Sequence, residues 1–149
     1  MRNIKVGIIG FGTIGSGVVR ILTTQGDSVR QRLGEEIEII KIANLDITTD
    51  REIEVGSNVL TTDVQAVIGH PEIDIIVELM GGCEPARSFI LQAISGGKHV
   101  VTANKALLAK YGDEIFAAVE DHQVSIGFEA SVGGAIPIIR SMREAFVAN

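Results

Sequence analysis

Short apolar runs alternate along this chain with segments whose apolar residues recur every three or four positions, and glycine or proline stands at most junctions. Val6, Ile8 and Ile9 form a β-branched run that predicts a buried strand. Ile14, Val18, Ile21 and Leu22 then follow helical spacing and predict one apolar helix face. That helix loosens near Gly26-Asp27, resumes through Leu33 and stops at Gly34. A second strand is predicted over 37–43, a polar loop over 48–57 and a short strand over 58–61. Asp63 suits the N-cap of a short helix over 64–68, which Gly69-His70-Pro71 breaks. A nearly continuous apolar strand spans 73–79 and ends in Met80-Gly81-Gly82. Pro85 opens a helix whose buried stripe is Phe89, Ile90, Ala93 and Ile94. A strand over 99–102 runs into Ala103-Asn104-Lys105. The next helix carries Leu107 and Leu108, is interrupted near Gly112, and continues with Ile115, Phe116 and Val119. A strand over 124–128, a small-residue loop over 129–134 and a helix opened by Pro137, with Ile138, Ile139, Met142, Ala145 and Phe146 on one face, complete the pattern.

Strand and helix alternate with short connections, and no repeat or linker intervenes. The pattern predicts a doubly wound α/β domain, a parallel sheet in the order 3-2-1-4-5-6 with helices on both faces. Ligands of such folds lie across the carboxyl edge, where the strand order reverses.

The stretch over 5–15, K-V-G-I-I-G-F-G-T-I-G, has the form of a dinucleotide-binding turn. Gly10 lets the chain leave the strand sharply, Gly12 leaves room for a pyrophosphate at the backbone, and Gly15 lets the helix pack closely. The N–H groups at the helix start favour a bound anion. The plain alternative is a glycine-rich turn without a ligand. At the end of the second strand, Asn44 and Asp46 stand where an adenosine ribose is expected, and an acid there favours NAD over NADP. Arg51 pulls the other way, so both cofactors remain open.

With 149 residues, 46% of them hydrophobic and only 4% aromatic, the chain has the size and composition of one domain with an aliphatic core. Its net charge of −6, without a basic cluster, argues against nucleic acid or an anionic membrane as partner. No apolar run has the length of a membrane span, and the N-terminus enters a strand at once, without a signal-peptide pattern. A single cysteine, Cys83, allows no internal disulfide and suggests a cytoplasmic protein. It reads as a packing residue, with no nearby histidine to activate it. The three histidines show no metal-ligand spacing.

Two further loops leave strand ends at the expected ligand edge. Met80-Gly81-Gly82 would border the nicotinamide half of a cofactor, or form a simple turn. Lys105 could bind an oxyanion or pass a proton, or be a solvated surface charge. Asn104 could serve only as a helix N-cap, and Glu129 as a cap, a cation ligand or a surface group.

Four segments together resemble homoserine dehydrogenase over its nucleotide-binding part: V-G-I-I-G-F-G-T-I-G-S-G-V, V-E-L-M-G-G-C-E-P-A, G-K-H-V-V-T-A-N-K-A-L-L-A and F-E-A-S-V-G-G-A-I-P-I-I. That family interconverts L-homoserine and L-aspartate 4-semialdehyde with NAD(P), in threonine and methionine biosynthesis. The resemblance implies that Gly10, Phe11, Gly12, Thr13, Ile14 and Gly15 form the pyrophosphate turn, with backbone N–H groups of 11–14 as donors. It implies that Gly81 and Gly82 lie along the nicotinamide ribose, with Thr102 and Asn104 near the nicotinamide. Lys105 matches the active-site lysine. Glu129, Val132, Gly134 and Ile136 match a monovalent-cation site built mainly from backbone carbonyls. Family members add a substrate-binding and dimerisation domain, so the chain is expected to be the first domain of a larger enzyme, inactive alone, whose whole is a homodimer or larger. Two other readings are a dehydrogenase of another small aldehyde and a dinucleotide-sensing module without catalysis.

Overall fold

The apolar runs assemble into one six-stranded, all-parallel sheet in the computed structural model, which describes residues 3–145. Its strands are β1 (Ile4–Ile9), β2 (Ile37–Ala43), β3 (Leu60–Thr61), β4 (Ile75–Glu78), β5 (His99–Thr102) and β6 (Ile126–Gly127), in the order β3-β2-β1-β4-β5-β6. The order reverses between β1 and β4, where Ile9 pairs with Glu78 on one side and Ala43 on the other. That is the expected doubly wound arrangement.

The connecting helices are α1 (Thr13–Thr24), α2 (Gly26–Leu33), α3 (Gln65–Ile68), α4 (Ala86–Ser95), α5 (Lys105–Asp121), α6 (Glu129–Val132) and α7 (Ile138–Glu144). Val6, Ile8, Phe11, Val19 and Ile42 form one core cluster. Ile9, Ile76, Ile90, Ala93, Ile94, Val100, Leu107 and Ile115 belong to the other. Full burial of each Val, Leu, Ile or Phe side chain stabilises the fold by about 1.5–3 kcal/mol, and Phe11 is the one aromatic among the buried hydrophobic residues described.

Several details depart from the sequence pattern. The third, fourth and sixth strands are shorter than predicted, because ladder pairing covers only part of each apolar run. The segment over 129–134 is not all loop: α6 occupies most of it, held where the Ser131 hydroxyl donates to the Thr102 carbonyl (2.8 Å). The α1 face is rotated from expectation. Gly15 and Val19 are its buried residues, whereas Ile14 and Ile21 remain 59% and 50% exposed. The absence of a side chain at Gly15 brings that line of the helix closest to the sheet. On α7, Ile138 and Met142 are likewise exposed, and Phe146 lies outside the described residues. The interruption near Gly112 is a kink within α5, where Tyr111 leaves helical geometry (φ −127°). Arg87 lies over the Tyr111 ring and forms a forked pair with Glu114 (2.6 and 2.5 Å).

The edge of the sheet away from the glycine turn is fastened by lysines. Lys98 is buried and donates to the carbonyls of His70 and Ile73 (2.7 Å each), and burial lowers its pKa. Lys5 pairs with Glu72.

Candidate functional site

The glycine turn between β1 and α1 has the geometry a phosphate cradle requires. Gly10 takes a left-handed φ of 103°, and a Cβ there would stand 2.7 Å from the Leu79 carbonyl oxygen. A Cβ on Gly15 would stand 2.0 Å from the carbonyl oxygen of Gly10, so the helix can start this close to the turn only with glycine. Gly12 differs: it is exposed, and nothing lies within 4 Å of an added Cβ. Its backbone faces open space at the α1 N-terminus, where first-turn N–H groups lack intrahelical acceptors and the dipole favours an anion.

One expected donor is taken. The Phe11 N–H donates to Asn44 Oδ1 (3.0 Å), which leaves Gly12, Thr13 and Ile14 for a pyrophosphate. The Asn44 amide nitrogen in turn donates to the Asp46 carbonyl (2.7 Å), so Asn44 ties the glycine turn to the loop after β2. Asp46 Oδ1 accepts from the N–H groups of Thr48 (2.9 Å) and Thr49 (3.1 Å) and from the Thr48 hydroxyl (2.9 Å). Hydrogen bonding from Thr49, then Thr48, holds its carboxyl well below the usual carboxylate range. Arg51 closes the loop. Its guanidinium donates to the carbonyls of Phe11 (2.5 Å), Thr49 (2.7 Å) and Asp46 (2.8 Å) and lies 4.8 Å from the Phe11 ring centroid. Phe11 is 2% exposed beneath it.

Between the two halves of the sheet lies a largely apolar cavity of about 370 Å³. Gly10 and Gly12, Asn44 and Leu45, and Met80 and Phe89 contribute to its walls, from the ends of β1, β2 and β4 and from α4. Gly81 and Gly82 both take left-handed φ values, 78° and 74°. They turn the chain back at the carboxyl end of β4.

The turn after β5 is joined to this one. Asn104 Nδ2 donates to the Gly82 carbonyl (2.6 Å), while its Oδ1 caps the Leu107 N–H of α5 (3.1 Å). Thr102 is fully buried, and its hydroxyl donates to Glu78 Oε2 (2.7 Å). Thr102 and Asn104 are thus framework groups of the site. Lys105 is the first residue of α5, exposed, next to Asn104 and hence beside the Gly82 turn. The Glu129 carboxylate accepts from the N–H groups of Ile139 (2.9 Å) and Arg140 (3.2 Å), serving as a cap for α7. The Glu129 and Ile136 carbonyls accept from Gly133 (3.0 Å) and Ile138 (2.8 Å). Among the described residues no group of three or more His, Cys, Asp or Glu side chains forms a metal site, and no helix is long and apolar enough to cross a membrane.

Residues 10–129, from the glycine turn to Glu129, match the family model described as "Homoserine dehydrogenase, NAD binding domain". The chain belongs to this family. A homoserine dehydrogenase of Synechocystis is 47% identical over 146 residues, 98% of this chain and 33% of that protein. One of Bacillus subtilis is 42% identical over 144 residues, 97% of this chain and 33% of that protein. The crystal structure of a homoserine dehydrogenase from Thiobacillus denitrificans superposes with a TM-score of 0.92 at 47% identity, covering all of this chain and 34% of that one. The chain therefore spans about a third of the length of the relatives it matches.

Read as a homoserine dehydrogenase NAD-binding domain, the chain has site residues that its sequence pattern did not bring forward. Glu78 sits inside an apolar strand and is fully buried; its Oε1 accepts the Met80 N–H (2.8 Å). An acid within an otherwise apolar strand, three residues before the glycine pair, was the available signal. Ser131 gave no such signal, since its role depends on how α6 meets β5.

Proposed function

We propose that this chain is the cofactor-binding part of a homoserine dehydrogenase that interconverts L-homoserine and L-aspartate 4-semialdehyde with NAD(P), as a step of amino-acid biosynthesis. The observation that carries the proposal is the open backbone of Gly12 at the α1 N-terminus, at the mouth of a cavity lined from both halves of the sheet. The residues fit a dinucleotide: N–H groups of 12–14 would hold the pyrophosphate, apolar walls would receive the adenine end, and Met80, Gly81 and Gly82 would border the nicotinamide half. The bound nicotinamide supplies the hydride acceptor or donor. Lys105 would hold the substrate oxygen with its ammonium group and exchange the proton that accompanies hydride transfer. Catalysis needs a clamp that orients the substrate against these groups, so turnover belongs to the whole enzyme.

NAD is the preferred cofactor in this reading. Asp46 keeps its negative charge at the end of β2, which disfavours a 2′-phosphate. The Arg51 guanidinium is engaged by three carbonyls and the Phe11 ring rather than left open for a phosphate. Calorimetric titration of the chain with NAD⁺ and with NADP⁺ tests both statements. Binding of neither refutes the nucleotide site; tighter binding of NADP⁺ refutes the role given to Asp46. A monovalent cation at 129–136 would have to be held by backbone carbonyls, since the Glu129 carboxylate caps α7. A rise in melting temperature with K⁺ or Na⁺, absent with a bulky organic cation, is its test. The whole enzyme is proposed to be cytoplasmic and a homodimer or larger.

A further inference from the structure

The geometry points to Glu78 as the positioning residue that locks the two nicotinamide-side turns of the cleft to each other. Its two carboxylate oxygens face different strands' ends. One accepts the N–H of Met80, in the turn after β4; the other accepts the hydroxyl of Thr102, the last residue of β5. Glu78 and Thr102 are register partners across the β4–β5 ladder, so this bond links neighbours at the final rung of the sheet. The circuit then closes on itself. Thr102 Oγ1 accepts the Asn104 N–H (3.0 Å), and the Asn104 amide returns to the Gly82 carbonyl (2.6 Å), two residues beyond Met80. Backbone from Glu78 to Gly82, the Asn104 side chain and the Thr102 hydroxyl thus form one ring.

The ring matters because the glycine turn that it ties to the end of β5 has little else to fix it. Gly81 and Gly82 are exposed, both in left-handed conformations, and an added Cβ at Gly81 would touch nothing within 4 Å. Glycine backbone of this kind samples many conformations unless it is tied down. Lys105 follows Asn104 directly, so the ring also sets where the ammonium-bearing residue leaves the sheet edge. A carboxyl group buried among apolar neighbours is costly unless both oxygens are satisfied, and here both are. A purely apolar residue would fill the strand without that cost, but it would leave the two turns unconnected.

This inference rests on reading the cleft as a nicotinamide dinucleotide site. Its test is NAD⁺ titration of the wild-type chain, Glu78→Gln and Thr102→Val, with amide hydrogen exchange read at Met80, Gly82, Asn104 and Lys105. Glu78→Gln keeps the shape but puts an amide donor where one of two donors needs an acceptor. Thr102→Val keeps the volume and removes the hydroxyl, and it serves if the Gln variant fails to fold. Expected are at least a tenfold weaker Kd and faster exchange confined to those four positions, with the Phe11–Gly15 amides unchanged, and recovery of most of the affinity in Thr102→Ser. An unaltered Kd in a folded variant, or exchange that rises evenly through the sheet, overturns the positioning role. Failure of the wild-type chain itself to bind NAD⁺ refutes the nucleotide site and this inference with it.

Discussion

Substituting Gly12 by alanine separates the structural glycines of the turn from the one that makes room for a ligand. Gly12 is the residue before α1, in extended backbone (φ −78°, ψ −158°) that carries no left-handed strain. The added methyl meets nothing within 4 Å. Two small effects on stability oppose each other. Loss of backbone freedom in the unfolded chain favours the variant by about 0.4–1 kcal/mol. Alanine is a poorer N-cap than glycine, which costs up to roughly 1 kcal/mol. The net is within about 1 kcal/mol of zero, a shift of about half a molar in the urea midpoint at a typical denaturant slope. Binding is a different matter. The methyl occupies the space through which a pyrophosphate would reach the N–H groups of 12–14. Loss of close approach is expected to weaken NAD⁺ by about 100-fold, roughly 2.8 kcal/mol. Urea denaturation and calorimetric titration on the same preparation measure both. A stable variant that binds NAD⁺ like the wild type would refute the cradle, however well the glycine pattern fits.

The complementary substitution, Gly15→Ala, puts a Cβ 2.0 Å from the Gly10 carbonyl oxygen and must displace α1; a loss of about 3 kcal/mol or more is expected, with binding lost too, and a wild-type urea midpoint would contradict the close packing. Asp46 has a depressed pKa, so its hydrogen bonds favour the folded chain above the ordinary aspartate value, and this contribution is lost as pH falls from there through the depressed value. The urea midpoint of wild type should therefore exceed that of Asp46→Ala at pH 7, with the gap narrowing below about pH 4, the ordinary range of aspartate; a gap that widens on acidification is the opposite of what the linkage requires. Lys105→Ala should bind NAD⁺ like wild type in the isolated chain while abolishing turnover in the full-length enzyme. Undiminished turnover would refute the catalytic role given to Lys105.

Local rules made the scaffold legible. Val6, Ile8 and Ile9 followed at once by glycine specify a buried strand and its sharp exit, and the helical stripe of Ile90, Ala93 and Ile94 is buried as spaced. The turn at Gly34 is left-handed and ends α2 where expected. What the sequence pattern could not show was where polar side chains go once distant segments meet. Nothing near Asn44 in sequence announces that it takes the Phe11 N–H across 33 positions, and only the β4–β5 register brings Thr102 opposite Glu78. The α1 face departs from its apolar spacing for a related reason. Periodicity marks which residues are apolar, while contact with the sheet is set by where a helix can approach most closely, and at Gly15 it can approach further than at Ile14 or Ile21.

The lysine fasteners at the far edge have a consequence for how such a domain can change over time. Lys98 reaches into the carbonyls of His70 and Ile73, and Lys5 pairs with Glu72, at the opposite end of the strands from the glycine turn. The far end of the strands thereby has fastenings of its own, separate from those of the ligand edge. Exposed positions of the ligand edge, such as Leu45 at 92% exposure, can change without loosening the far end. A lineage, or an engineer, can alter exposed positions there while the lysine fasteners stay intact, so the two ends of the strands can change separately.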